Sequence, residues 1–221
     1  MISPLADRTY RHLFLAQVIA LAGTGLSTVA LALLAYDLAG GQAGAVLGTA
    51  LALKMVAYVG IAPVIGGFAH LLPRRKLLIG LDIARAGFVA CLPFVTEIWQ
   101  IYILIFLLNA CSAGFTPTFQ ATIPDVLPEE ARYTRALSLS RMAYDLENLL
   151  SPALAAAALA LMSYDSLFAA NVAAFLVSAL LVFSVRLPSP RAPERDGGIW
   201  RSMTFGLRSY LGTPRLRGLL A

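Results

Sequence analysis

The sequence predicts an all-α integral membrane protein of six transmembrane helices with both termini in the cytoplasm. Three observations carry this expectation. The chain is 59% hydrophobic and only 13% charged, with a mean hydropathy of +0.76, which is outside the range of soluble domains. Its apolar residues fall in six runs, each close to the roughly 20 residues a helix needs to cross a bilayer. Between those runs, Lys and Arg occur only at alternate connections, the asymmetry that marks cytoplasmic loops.

Helices are the expected element because lipid offers no partners to an unpaired backbone amide or carbonyl. The first run, Leu13 to Tyr36, follows Arg8 and Arg11. It is longer than a secretory h-region, so it reads as a retained span and not a cleaved signal. Gly40-Gly41 breaks the chain before the second run, Ala45 to Phe68. Pro73 and the cluster Arg74, Arg75, Lys76 precede the third, Leu77 to Thr96, and the fourth runs from Trp99 to Phe119. Pro124 and Pro128 then break the chain, and Arg132 and Arg135 lead into the fifth run, Ala136 to Met162. A turn at Tyr164-Asp165 precedes the sixth, Ser166 to Val185. The connections around residues 37–44, 96–97 and 163–165 contain no Lys or Arg and are expected outside.

This divides the chain into a cytoplasmic N-terminus (1–12), a six-helix transmembrane unit (13–185), a basic cytoplasmic linker (186–215) and a last segment (216–221). In the linker, Ile199, Trp200, Met203, Leu207, Tyr210 and Leu211 recur at helical spacing opposite Arg201, Thr204 and Arg208, the pattern of a helix lying on the cytoplasmic leaflet. The apolar run from Leu216 to Ala221 is too short to span and reads as the start of a truncated seventh helix.

Several function classes are disfavoured by the same residues. The net charge of +5 comes from short basic clusters between apolar runs, a topology signal and not a phosphate-binding face, so nucleic acid is not an expected partner. Cys91 and Cys111 lie inside apolar runs without C-x-x-C spacing, and His12 and His70 sit at helix ends, so neither a metal nor any other cofactor is implied. No nucleophile stands beside a base, and neither H-E-x-x-H nor a G-x-x-x-x-G-K-[ST] phosphate loop occurs, which argues against a membrane enzyme and against ATP-driven transport. The expected surroundings are a bacterial-type inner membrane.

Charged side chains within spans are costly unless paired or hydrated. Those expected at membrane depth are Lys54 in span two, Asp82 and Arg85 in span three, and Arg141, Asp145 and Glu147 in span five. At about 1.5 Å per residue, Lys54 lies roughly 22 Å and Glu147 roughly 18 to 20 Å above the cytoplasmic ends of their spans. Near the midplane and of opposite sign, they are expected to pair, either as a proton-exchanging couple or as a static bridge. Asp82, Arg85, Arg141 and Asp145 lie lower. They are expected to form a charge network between spans three and five, either purely structural or broken during a conformational change. Gln17, Thr24 and Thr28 share one face of span one, and Asn109, Ser112, Thr116 and Gln120 one face of span four. Such faces line a water-filled cavity or hydrogen-bond a neighbouring helix. Ser151-Pro152 with Ala153, Ala155, Ala156 and Ala157 suits close packing or bending.

The loop after span two, Gly66-Gly67-Phe68-Ala69-His70-Leu71-Leu72-Pro73-Arg74-Arg75-Lys76, resembles the G-x-x-x-D-R-x-G-R-R/K signature of the major facilitator superfamily. His70 and Leu71 replace its acidic-basic pair and Pro73 its glycine, so the family's charge lock is not implied here. Leu13-Phe14-Leu15-Ala16-Gln17, Leu81-Asp82-Ile83-Ala84-Arg85-Ala86 and the segment from Pro117 to Asp125 with Leu127-Pro128 look like the drug and siderophore efflux branch. Two departures weaken proton antiport as an implication. Asn109 lies where span four often has arginine, and the G-P-x-x-G-G pattern of span five is reduced to Ser151-Pro152-Ala153-Leu154-Ala155-Ala156.

The resemblance implies that the six helices are two three-helix repeats, half of a twelve-helix fold whose substrate site lies between the halves. It implies that spans one and four line the cavity and that spans two and five face the other half. The expected function is secondary active efflux of small organic molecules by alternating access, with the lipid bilayer, a small-molecule substrate and a C-terminal half or second copy as partners. The competing reading is a non-transporting truncated protein or assembly partner.

Overall fold

The computed structural model describes residues 3–68 and 73–188. The described residues form six long helices: α1 (Arg8–Ala39), α2 (Ala43–Phe68), α3 (Arg74–Cys91), α4 (Ile98–Val126), α5 (Glu130–Leu159) and α6 (Tyr164–Phe183). Short 3-10 turns at Pro4–Ala6, Gly40–Gln42 and Leu92–Phe94 complete the order. Each helix overlaps one of the expected runs. The amphipathic segment Ile199 to Leu211, the segment from Leu216 to Ala221 and positions 69–72 lie outside the described residues.

Local chemistry sets the helix ends. Asp7 caps α1 by accepting from the Tyr10 amide at 2.9 Å. The helix closes at Gly40, whose φ of 52° suits a residue without Cβ. Glu97 and Gln100 form a reciprocal capping box at the start of α4.

Several boundaries differ from the sequence expectation. α3 stops at Cys91 because Leu92-Pro93-Phe94 forms a 3-10 turn. α4 continues past Phe119 to Val126 with Pro117 and Pro124 inside it, so Pro124 is not the breaker; Arg74 reaches the carbonyl of Ala121 on this last stretch. Arg132 and Arg135 belong to the first turns of α5, not to a loop. Tyr164 and Asp165 open α6, with Ser163 as the extended residue before it.

Among the described residues, four stretches are long and apolar enough to cross a membrane: Arg8–Ile61, which runs through α1 and much of α2, then Arg74–Phe94, Ile98–Val126 and Tyr164–Phe183. α5 is more polar, carrying Arg132, Arg135, Arg141, Asp145 and Glu147.

α1 is the hub, packing against α6 and α5 most extensively and also against α2 and α4; α2 lies on α4, and α3 lies between α4 and α6. Two apolar clusters stack along the bundle. One gathers Leu34, Val89, Ile101, Ile105, Phe168 and Phe175 toward the C-terminal end of α1. The other gathers Leu13, Leu78, Phe119, Ile123, Leu127 and Val182 toward its N-terminal end. In the second cluster the buried Tyr10 hydroxyl donates to the Ala136 carbonyl at 2.9 Å, tying α1 to α5. Tyr10→Phe leaves that carbonyl without its donor and is expected to lower stability by about 1 kcal/mol, read as a reduced melting temperature in detergent. An unchanged melt would show that the bond adds nothing.

Candidate functional site

A cleft of about 350 Å³ opens between α1, α2 and α4, within the roughly 300–1,000 Å³ typical of small-molecule sites. α1 contributes Thr24, Ser27 and Thr28, and α4 contributes Asn109 and Ser112. The expected polar faces of the first and fourth spans thus meet across one cavity. α2 supplies Lys54 and Tyr58, four residues apart on one face, and Asn171 of α6 closes the back. Leu31, Leu51, Ile105 and Leu108 form the apolar part of the wall.

Four of the polar side chains here are anchored to their own helices. Thr24 donates to the Ala20 carbonyl at 2.9 Å, Thr28 to Thr24 at 3.0 Å, Ser112 to Leu108 at 3.0 Å and Asn109 to Ile105 at 2.7 Å. Spending the donor on the i−4 carbonyl leaves the oxygen lone pairs as acceptors for water or solute. Asn171 is fully buried and donates to Ser27 Oγ at 2.7 Å, while its Oδ1 has no partner among the described residues.

Two expected members lie elsewhere. Gln17 is 3% exposed, and its Oε1 has no partner among the described residues. It shares the stripe of Thr24 but sits about 10 Å lower, where neighbouring helices have closed over α1. Thr116 lines a second, more polar cavity of about 410 Å³ with Tyr58, Gln120, Leu137, Arg141 and Tyr144. There its hydroxyl lies 3.1 Å from the Tyr144 hydroxyl. Tyr58 lines both cavities.

The expected direct pair of Lys54 and Glu147 is not formed. Lys54 is exposed in the cleft between α1, α2 and α4. Glu147 lines a separate apolar groove between α1 and α5, alongside Phe14, Val18, Leu146 and Leu150. Its Oε1 accepts from Ser151 Oγ at 3.2 Å. The two charges interact at longer range.

The expected network of Asp82, Arg85, Arg141 and Asp145 is likewise two separate pairs, because α3 packs on α4 and α6 while α5 packs on α1. Arg141 and Asp145 pair at 3.3 Å on an exposed face of α5. Asp82 and Arg85 pair in the interior, where Asp82 also accepts from Ser178 Oγ at 2.7 Å. The Arg85 guanidinium is sandwiched between the rings of Phe115 (4.2 Å) and Phe175 (4.5 Å), so a buried cation is met by a carboxylate and two aromatic faces.

In the signature loop, Gly66 is still helical in α2. Arg74 pairs with Asp125 at the end of α4. Arg75 donates to the Phe183 carbonyl at the end of α6 and stacks on its ring at 4.6 Å. Both arginines thus bind carbonyl-rich helix C-termini, and Lys76 stays exposed.

Sequence reasoning missed Ser27, Tyr58 and Asn171 in the cleft, and Ser178 beside Asp82. Asn171 and Ser178 are seven apart in an otherwise apolar helix. That spacing puts both on one helical face, a legible sign that α6 turns a polar stripe inward.

A bundle of long apolar helices around a cleft lined by hydroxyls, amides and one cation is the build of a multi-pass membrane protein. The profile of the Major Facilitator Superfamily matches residues 13–221, and the chain belongs to that family of membrane transporters. It is 29% identical over 165 residues to "Uncharacterized MFS-type transporter YfiS" of Bacillus subtilis (strain 168), covering 72% of this chain and 39% of that protein. It is 28% identical over 173 residues to "Macrolide efflux protein A" of Enterococcus faecalis, covering 73% of this chain and 53% of that protein. The protein of the same name from Streptococcus pyogenes is 29% identical over 169 residues, covering 73% of this chain and 42% of that protein. The chain thus spans about half the length of these relatives, or less.

Proposed function

We propose that the chain forms the N-terminal six-helix half of a secondary transporter in the bacterial inner membrane, exporting small organic molecules by alternating access. The observation that carries this reading is the convergence of Thr24, Thr28, Asn109 and Ser112 on one cleft. Two helices that could have spent their polar faces on contacts with each other instead leave acceptors facing open space. All six helices span in this reading, with both ends cytoplasmic, because Lys and Arg at the connections alternate with the runs. The efflux direction is supported by the relatives named for macrolide efflux. A second six-helix unit, either a C-terminal half or another copy of this chain, completes the cavity.

Lys54 and Glu147 serve here as separate charges, one lining the cleft and the other the groove between α1 and α5. Lys54 holds solute, and Glu147 is the candidate coupling carboxylate.

The test is gradient-driven movement of a fluorescent solute in inverted vesicles. Vesicles would contain these 221 residues or the chain extended through any downstream reading frame. The expected result is uptake by the extended chain that is abolished by Ser112→Phe, a substitution that fills the cleft. Equal uptake by wild type and Ser112→Phe, or none by either form of the chain, would overturn the proposal.

A further inference from the structure

The charge of the cleft points to the kind of solute it holds. Lys54 is the one charged residue lining it, and every other polar lining residue is a neutral hydroxyl or amide. Among the described residues no carboxylate lies within ion-pairing distance of its ammonium: the salt bridges there are Arg74–Asp125, Arg85–Asp82 and Arg141–Asp145. Glu147 is the acid whose charge reaches Lys54, but it faces the α1–α5 groove and is engaged by Ser151.

A lysine inside an apolar stretch that crosses the membrane is costly unless it is hydrated or meets a counter-charge. Lys54 lies in such a stretch, and its side chain is exposed in the cleft. The acceptors left by Thr24, Thr28 and Ser112 suit hydroxyl or amide groups of a solute. Tyr58, one helical turn from Lys54, offers an aromatic face, and Leu31, Leu51 and Leu108 offer apolar contact.

We propose that the cleft selects anionic amphipathic solutes, a carboxylate, sulfonate or phosphate on an aromatic or aliphatic body, with Lys54 as the residue that reads the charge. This rests on the cleft being the solute site and adds the class of solute. Lys54 binds the anion, Tyr58 stacks on the apolar body, and the hydroxyls of α1 and α4 orient it. A cationic solute of the same shape meets the ammonium as a like charge and is rejected.

Fluorescein and rhodamine 123 share a xanthene body and differ in charge, so the pair separates charge from shape. Their fluorescence polarisation would be measured against the purified chain in uncharged detergent micelles. Fluorescein is expected to bind and to lose its binding in Ser112→Phe. Lys54→Gln is expected to weaken it about tenfold or more, and Lys54→Arg to restore it. Rhodamine 123 is expected to bind more weakly than fluorescein and to gain, not lose, affinity in Lys54→Gln. Because Lys54 is exposed, its variants are expected to keep wild-type helicity and elution volume, and rescue by arginine excludes a folding defect.

Fluorescein binding that ignores Lys54→Gln, or rhodamine 123 binding more tightly than fluorescein and lost in Ser112→Phe, would overturn the charge assignment while leaving the cleft as the solute site. Binding of both dyes that ignores Ser112→Phe would overturn the solute site itself, and this inference with it.

Discussion

Asp82→Ala is expected to destabilise the protein by about 3–5 kcal/mol, the largest effect of any single substitution considered. The carboxylate is fully buried and holds Arg85 and Ser178 together. Removing it leaves a guanidinium in the interior with only the Phe115 and Phe175 faces as partners. Arg85→Met strands the carboxylate in the same way. The double variant Asp82→Leu with Arg85→Met removes both charges and is expected to melt closer to wild type than either single variant, because an apolar pair of similar volume avoids the desolvation penalty. Thermal unfolding in detergent checks this. Three equal melting temperatures would show that the pair is not a coupled unit.

Gly25→Val is the second large effect. A Cβ at Gly25 would sit 1.8 Å from Ser151 Oγ and 2.6 Å from Ser151 Cβ, too close for any contact, so α1 and α5 must separate. Overpacking of this kind costs about 1–3 kcal/mol or more. The separation would also disturb the groove that contains Glu147. Ser151→Gly removes the obstructing atoms, so Gly25→Ala combined with Ser151→Gly is expected to recover most of the loss seen in Gly25→Ala alone. Gly23 has the same role toward α6, where a Cβ would meet Asn171 Oδ1 at 2.5 Å and Ala174 Cβ at 2.6 Å. Two glycines on different faces of α1 therefore let it be the hub of the bundle. The measurement is again the melting temperature, and a Gly25→Val protein that melts like wild type would contradict the close approach.

The helices were legible in the sequence because burial in lipid forces each apolar run into one element, and runs of about 20 residues leave little freedom. Their ends were less so. Pro124 looked like a breaker, yet it stands in the last turn of α4, where its missing N–H costs the helix only the one bond to the Gln120 carbonyl. The meeting of Thr24 and Thr28 with Asn109 and Ser112 was legible from periodicity together with the family resemblance, which paired the two helices.

Charge pairing between helices was not legible, whereas Arg141 and Asp145, four apart on one helical face, do pair. Depth along a helix axis fixes one coordinate of a side chain, but partner choice depends on which helices are neighbours and on rotation about each axis. Lys54 and Glu147 share a depth yet line different cavities, and Asp82 and Asp145 lie on helices that pack on different partners. Gln17 was misplaced for a related reason: its face was right, but the cleft does not extend down to its level.

In the proposed reading the cleft between α1, α2 and α4 is a solute site reached from the outer face, since its residues Leu31, Leu47 and Leu51 lie next to the 37–44 connection expected outside. Single cysteines at Thr28, Asn109, Ile103 and Leu180, in a background with Cys91 and Cys111 replaced by serine, would be labelled in intact cells by a membrane-impermeant maleimide. The account expects rapid labelling at the cleft positions 28 and 109 and little at 103 and 180, whose exposed side chains face lipid in this reading. Labelling at 103 and 180 that matches or exceeds that at 28 and 109 would contradict it.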